Sequence, residues 1–144
     1  MASKHHDPVH HHPHAVEGLN ETQRRVHAIL AAASGPMSAY DVLDRMRGEG
    51  AVTPPTVYRS LDKLIERGLA HRLESLNAYV TCRHPHPREM AAFAICEICG
   101  TVNEFTDPHI DERLAHWSGI HSFEPRRVTV EVRGLCGACR DQKA

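Results

Sequence analysis

Apolar positions recur three or four residues apart in three separate segments of the first half of the chain. This spacing predicts three helices, each with one buried face and each followed by a glycine, over LNETQRRVHAILAAASG, SAYDVLDRMRGEG and TPPTVYRSLDKLIERG. Ser38 and Thr53 are predicted N-caps. Pro54 and Pro55 suit the first turn of the third helix.

The apolar period then changes to two, which indicates strands. Two short strands are predicted around a Leu76–Asn77 turn in LAHRLESLNAYVTC. Three helices followed by a hairpin predict a winged helix-turn-helix over residues 19–82. Beyond it, a helix starting at Asp107 and Pro108 is flanked by the strand-forming segments AAFAIC, TVNEF and RRVTVEVRG. We therefore predict an α+β fold whose second part, residues 83–144, is a small α/β dimerisation and metal-binding domain.

Composition places the chain among ordinary globular proteins. Its 144 residues are 41% hydrophobic and 24% charged, and no run of 18 apolar residues suggests a membrane segment. An apolar signal segment is also missing from the start, so we expect a cytoplasmic protein with no membrane partner. The formal net charge of −1 means that any DNA contact must come from a local basic face, doubled by dimerisation.

Histidine is the outlier in composition. Six of the thirteen histidines lie within the first fourteen residues, in a segment that has prolines and no apolar periodicity. We expect residues 1–18 to be a disordered His-rich tail. The tail is either dispensable or a loose metal-capturing segment, and we assign it no defined site.

Four of the five cysteines form two CxxC pairs, Cys96 with Cys99 and Cys136 with Cys139. Thiols stay reduced in the cytoplasm, so such pairs indicate a metal site before they indicate disulfides. Four thiolates suit a closed tetrahedral zinc site that contributes to folding. A redox dithiol is the alternative, but no thioredoxin-like βαβ pattern accompanies these pairs.

The third helix is the predicted DNA-recognition element. Arg59 can pair with guanine edges or phosphates, and hydroxyl groups can donate to phosphate oxygens. The positions expected to be exposed on this helix are Thr56, Tyr58, Arg59, Ser60, Asp62 and Lys63.

Five segments together resemble the ferric uptake regulator family, and within it the zinc uptake regulator branch: SAYDVL, PPTVYRSLDKLIERGLAHRLES, NAYVTC, AICEICG and GLCGAC. The resemblance covers residues 19–140. It implies a repressor that binds double-stranded operator DNA of zinc-uptake genes as a zinc-loaded homodimer. It also implies DNA contacts from Tyr40 and Arg59.

The same resemblance implies two zinc ions per chain. The structural ion would be held by Cys96, Cys99, Cys136 and Cys139. The regulatory ion would be held by His71, Cys82 and Glu104, with His84 or His86 as the fourth ligand and Glu89 as a weaker candidate. In many relatives the His-x-His lies two residues before the first CxxC, whereas nine residues separate His86 from Cys96 here.

A metal bound by those regulatory residues would join the wing, the link and the second domain, and would fix the spacing of two winged helices in a dimer. A thiolate with imidazoles and a carboxylate favours Zn²⁺ over iron. An iron- or peroxide-sensing regulator is the alternative, but it would carry a histidine where Gly35, Pro36 and Met37 stand.

Milder interpretations stay open for the regulatory residues. His71 could be a surface residue of the wing, Glu104 a solvated strand end, and Cys82 a small buried hydrophobe. We expect His27, His109, His116 and His121 to be ordinary histidines, and Asp111 to support at most a further weak site. A zinc-handling enzyme or metallochaperone is a second alternative. The sequence has no HExxH or similar catalytic motif that would favour it, and we expect no small-molecule substrate.

Overall fold

The computed structural model describes residues 16–48, 50–82 and 90–142. Most of the predicted tail, together with His84, His86 and Glu89, lies outside the described residues. The described elements in chain order are α1 Glu21–Ala32, α2 Ala39–Met46, α3 Pro54–Glu66, β1 Ala70–Leu73, β2 Ala78–Thr81, β3 Ala91–Cys96, β4 Val102–Phe105, α4 Pro108–Ile120, β5 Thr129–Gly134 and α5 Gly137–Asp141.

The starts of the helices follow from their capping residues. Ser38 and Asp41 form a reciprocal capping box, in which the Ser38 hydroxyl accepts from the Asp41 N–H at 3.1 Å and Asp41 accepts from the Ser38 N–H at 2.9 Å. Thr53 occupies the N-cap position of α3, but the prediction that its side chain caps the helix is wrong. Its hydroxyl lies 3.0 Å from that of Thr56 instead.

The first core is formed by α1, α2 and α3 together with the β1–β2 hairpin. The hairpin turn is the predicted one, and Asn77 adopts a positive φ of 47° in it. Two backbone hydrogen bonds between Met37 and Tyr79, of 3.0 and 2.7 Å, attach β2 to the segment before α2. The most deeply buried side chains of this core are Val26, Val42, Met46, Val57, Leu61 and Leu64. This arrangement is the predicted winged helix-turn-helix.

The second sheet has the strand order β4-β3-β5, with β3 antiparallel to β4 and parallel to β5. Helix α4 lies in the connection between β4 and β5. Phe93 in the central strand is directly opposite Glu104 in β4 and Glu131 in β5. Residues paired across neighbouring strands point to the same face of a sheet, so these three side chains form one row.

The β1–β2 hairpin is the wing of the winged helix, and its strand β1 completes the core of the second sheet. Leu73, the last residue of β1, is fully buried and packs with Ala91, Phe93 and Ile95 of β3 rather than with the helices. The edge of the His71 ring contacts Phe93, with 5.3 Å between ring centroids. The orientation of the wing is therefore tied to the sheet by apolar packing.

Within the described ranges, no helix has both the length and the apolar character needed to cross a bilayer.

We predict that Leu73→Ala lowers the free energy of unfolding by about 2–5 kcal/mol, because it leaves a cavity between the wing and β3. Leu76→Ala is the matched control, since Leu76 lies in the same hairpin and is 40% exposed. Urea unfolding of the zinc-loaded proteins measures both. Equal effects of the two substitutions would contradict a core shared by the wing and the sheet.

Candidate metal centres and DNA-binding face

The four CxxC cysteines converge at one end of β3. Cys96 ends β3 and Cys99 lies in the following turn, while Cys136 and Cys139 lie at the start of α5 and within it. Gly100 has a positive φ of 73° and its N–H donates to the Cys96 carbonyl at 3.0 Å, which closes the turn. The four Sγ atoms all lie within 4.8 Å of one another.

The spacing of these thiols fits zinc. Tetrahedral zinc with Zn–S bonds of about 2.3 Å places its sulfur ligands roughly 3.8 Å apart. The Sγ atoms of Cys99 and Cys136 are 3.8 Å apart. The cluster can therefore accept a zinc ion with little rearrangement.

The electrostatics of the four thiols also favour a cation. The Cys136 N–H donates to Cys96 Sγ at 3.4 Å, and with other backbone N–H groups it lowers the pKa of Cys96 to about 6. The neighbouring thiol of Cys136 contributes most to raising the pKa of Cys139 to about 12. Local hydrogen bonds thus favour the thiolate form of Cys96, whereas the neighbouring thiols oppose ionisation of Cys139. A bound divalent cation would remove that opposition.

A second cluster lies between the wing and the second sheet. It brings together His71 from β1, Cys82 just after β2 and Glu104 from β4, with one ligand atom from each within 4.8 Å of the others. Glu104 Oε1 lies 3.7 Å from Cys82 Sγ and 3.9 Å from His71 Nε2. The Cys82 N–H donates to the Leu69 carbonyl at 3.0 Å, which holds the thiol beside the hairpin.

The Nε2 nitrogen of the His71 ring belongs to this cluster. This nitrogen is buried and has no hydrogen-bond partner among the residues that the structure describes. Buried polar nitrogens are rarely left unsatisfied, so the lone pair is available to a metal. Burial lowers the pKa of His71, opposed in part by Glu104, and so favours the neutral form of the ring, which is the form that binds metals.

Two of the milder interpretations are therefore wrong. The side chain of Glu104 is 6% exposed, so it is not a solvated strand end. The side chain of His71 is 20% exposed and turned against Phe93, so it is not a surface residue of the wing. With Cys82, these residues offer a thiolate, an imidazole and a carboxylate, a donor set that fits zinc.

Asp111 and the histidines that were expected to be ordinary lie outside both clusters. Asp111 accepts a 3.4 Å hydrogen bond from the Met90 N–H, and His109 lies 4.0 Å from Glu112. The His121 ring packs against Trp117. In residues 16–48, 50–82 and 90–142, none of these histidines or Asp111 joins a group of three or more metal-binding side chains.

Helix α3 and the start of α2 present the predicted DNA-binding residues. Tyr40 is 63% exposed and Tyr58 is 40% exposed. Arg59, Asp62 and Lys63 are exposed and Thr56 is half-buried, while Lys63 also forms a 3.2 Å ion pair with Glu66.

The structure corrects the expectation for Ser60. It was expected to be exposed, but it is 4% exposed and its hydroxyl donates to the Thr56 carbonyl at 2.9 Å. Its position between Val57 and Leu64, three and four residues away, places it on the buried face of α3. The helical spacing alone could have revealed this.

Glu131 and the exposed face of α4 were not predicted from the sequence, and neither was the short helix α5 that carries Cys139. Glu131 of β5 contacts the wing turn, and no local motif marks it. Helix α4 buries only Ser118 among its thirteen residues, and it exposes Trp117 and Ile120 by 50% and 66%.

Comparison with known proteins gives a consistent result. The sequence model of the ferric uptake regulator family matches residues 16–133. The zinc uptake regulation protein of Escherichia coli (strain K12) is 36% identical over 128 residues, covering 88% of this chain and 75% of that protein.

Two solved structures are similar over most of their length. A zinc uptake regulator complexed with zinc and DNA has a TM-score of 0.79 at 35% identity, covering 87% of this chain and 85% of the other. Holo XcZur has a TM-score of 0.77 at 38% identity, covering 85% and 86% of the two chains.

We predict that Cys96→Ser removes a tightly held zinc and destabilises the fold, because the binding energy of a structural zinc is also folding energy. The measurement is zinc content per chain after mild chelation, together with thermal unfolding. Cys82→Ser is the control and should keep the tight zinc. A stable Cys96→Ser protein with unchanged zinc content would contradict the assignment of the four-cysteine cluster.

Proposed function

The chain belongs to the ferric uptake regulator family, and on that premise we propose that it is a zinc-responsive repressor that binds operator DNA as a zinc-loaded homodimer and represses zinc-uptake genes. The observation that carries the proposal is the cluster of His71, Cys82 and Glu104 at the junction between the wing and the second sheet. A metal site in that position can control how the DNA-binding helices are oriented.

The donor set supports zinc as the regulatory metal. A soft thiolate beside an imidazole and a carboxylate favours Zn²⁺, whereas iron sensors depend on nitrogen and oxygen ligands. The alternative, an iron or peroxide sensor, expects a histidine near Met37. Met37 is buried in the first core and its backbone pairs with Tyr79, so that place contributes packing and not a ligand.

We propose two zinc ions per chain. The four-cysteine cluster would hold the structural ion. Three ligands of the regulatory ion would come from His71, Cys82 and Glu104. His84 or His86, with Glu89 as the weaker candidate, would complete the regulatory set. This arrangement serves DNA binding in the cytoplasm and no enzymatic reaction.

The mechanism follows from which element carries each ligand. His71, Cys82 and Glu104 would hold the ion through an imidazole, a thiolate and a carboxylate, and zinc would supply the positive charge that these donors share. His71 and Cys82 move with the wing, while Glu104 belongs to the second sheet. The wing is in turn joined to α3 through the Leu69 N–H, which donates to the Leu64 carbonyl at 2.8 Å. Fixing the wing therefore fixes the recognition helix.

Operator affinity depends on that orientation because a dimer reads two half-sites at a fixed spacing. A wing held against the sheet gives both recognition helices one defined geometry. Zinc binding and DNA binding are then coupled, and each strengthens the other by the same factor.

The exposed apolar side chains of α4 support the homodimer. Trp117 and Ile120 are largely exposed in the single chain, and Val132 on the edge strand β5 is 51% exposed. Aromatic side chains of this kind are enriched at protein interfaces. A second copy would cover them and would double the basic surface around Arg59, which offsets a net charge of −1.

We predict that Arg59→Ala lowers operator affinity by about 1–3 kcal/mol, since an exposed guanidinium on α3 can read a base edge. If Arg59 contacts only phosphate, random DNA should lose affinity equally and the salt dependence should become shallower. Fluorescence anisotropy on operator and random DNA measures both. Arg67→Ala is the control, because Arg67 donates to the Glu17 carbonyl at 2.8 Å. Unchanged binding by Arg59→Ala to both DNAs would contradict this role of α3.

We predict that Cys82→Ser abolishes operator binding in the zinc range where the wild type responds, while the fold, the dimer and the tight zinc persist. A serine hydroxyl stays protonated near neutral pH and is a poor zinc ligand. The loss should exceed the roughly 10–100-fold that follows removal of a ligand's hydrogen-bond partner.

The measurement is a zinc titration of operator binding at one salt concentration. Thr81→Ser is the matched control, because it alters the same end of the wing without removing a ligand. A Cys82→Ser protein that responds at the wild-type zinc concentration would refute the regulatory assignment of Cys82.

A further inference from the structure

The Glu131 carboxylate bridges the second sheet and the turn of the wing. Its Oε1 accepts from the Glu74 N–H at 2.6 Å, and its Oε2 accepts from the Ser75 N–H at 3.1 Å. Both oxygens are thus used by consecutive backbone donors of the β1–β2 turn. Glu131 belongs to neither metal cluster.

Glu131 is the last residue in a row of side chains that crosses the sheet. Glu104, Phe93 and Glu131 are register partners on β4, β3 and β5 and share one face. The wing strand crosses this row. His71 approaches Glu104, Leu73 packs on Phe93, and the turn after β1 meets Glu131.

The contact is charge-assisted. Burial opposes ionisation of Glu131, but hydrogen bonds from Ser75 and from the Glu74 backbone outweigh it and lower the pKa of the carboxyl group. Arg133 contributes in the same direction. Hydrogen bonds that involve an ionised partner are shorter and stronger than neutral ones.

We propose that Glu131 is a positioning residue that latches the wing onto the sheet without metal, and so presents His71 and Cys82 to Glu104. The consequence of this contact rests on the proposed function. With the latch closed, the exchangeable zinc site is already assembled before the ion binds. The apparent affinity of a protein for its ligand falls as the fraction of molecules in the binding-competent conformation falls. Loss of the latch therefore raises the zinc concentration needed for operator binding, although no metal-binding residue is replaced.

Three variants separate this role from a general effect on stability. Glu131→Ala removes both acceptors, and Glu131→Gln keeps one carbonyl oxygen and the shape of the side chain. Glu112→Ala is the matched control, since Glu112 lies on α4 and its side chain is 78% exposed. Tight zinc content and sedimentation establish that each variant is folded and dimeric, and Glu131→Gln carries the test if Glu131→Ala does not fold.

The first measurement needs neither DNA nor regulatory zinc. Amide hydrogen exchange at Glu74 and Ser75 is followed in protein that keeps the tight zinc after mild chelation. Exchange at these two amides should be about tenfold faster in Glu131→Ala, less so in Glu131→Gln, and unchanged in Glu112→Ala. Unchanged exchange in Glu131→Ala would overturn the latch.

The second measurement is the zinc titration of operator binding. The midpoint should move to about five- to tenfold higher zinc in Glu131→Ala, with the same operator affinity at saturating zinc. Faster exchange with an unmoved midpoint would also overturn the proposal, because the contact would then not position the ligands. A wild type with no zinc response would refute the proposed function, while the exchange result would still decide whether Glu131 holds the wing.

Discussion

The burial of Leu73 against Phe93 is the interaction on which the arrangement of the molecule depends. Both side chains are fully buried, although one belongs to the wing and the other to the central strand of the second sheet. The hairpin therefore completes two cores at once, that of the three helices and that of the sheet. This packing brings His71 beside Glu104, and the hydrogen bond from the Leu69 N–H to the Leu64 carbonyl links the same hairpin to the recognition helix.

The two metal clusters differ in what they connect. The four-cysteine cluster lies within the second sheet and its C-terminal helix, where crowded thiols require a cation for all four charges to coexist. The other cluster spans the junction and includes the buried Nε2 of His71, which has no hydrogen-bond partner in the part of the chain that the structure describes. In the proposed function the first cluster would stabilise the second sheet and the second would regulate DNA binding, because the second links the wing to the sheet.

Much of this could be predicted from local patterns. Helical periodicity, the Ser38 cap and the CxxC spacing are encoded over a few residues, and the structure has the predicted elements. Ser60 is buried although its side chain is polar, because its place in the helical period lies on the apolar face of α3. Glu131 could not be predicted, since its role depends on the register of β3 with β5 and on where the Glu74 turn comes to lie. Such relations are set by tertiary packing.

The most direct test of the account is the zinc affinity of the exchangeable site, measured by chelator competition with and without operator DNA. Coupling between two binding events is reciprocal, so DNA that prefers the closed junction must tighten zinc binding by the factor with which zinc tightens DNA binding. We predict that operator DNA raises the zinc affinity of this site and leaves the tight zinc unaffected. Equal zinc affinity with and without the operator would contradict a zinc-controlled junction.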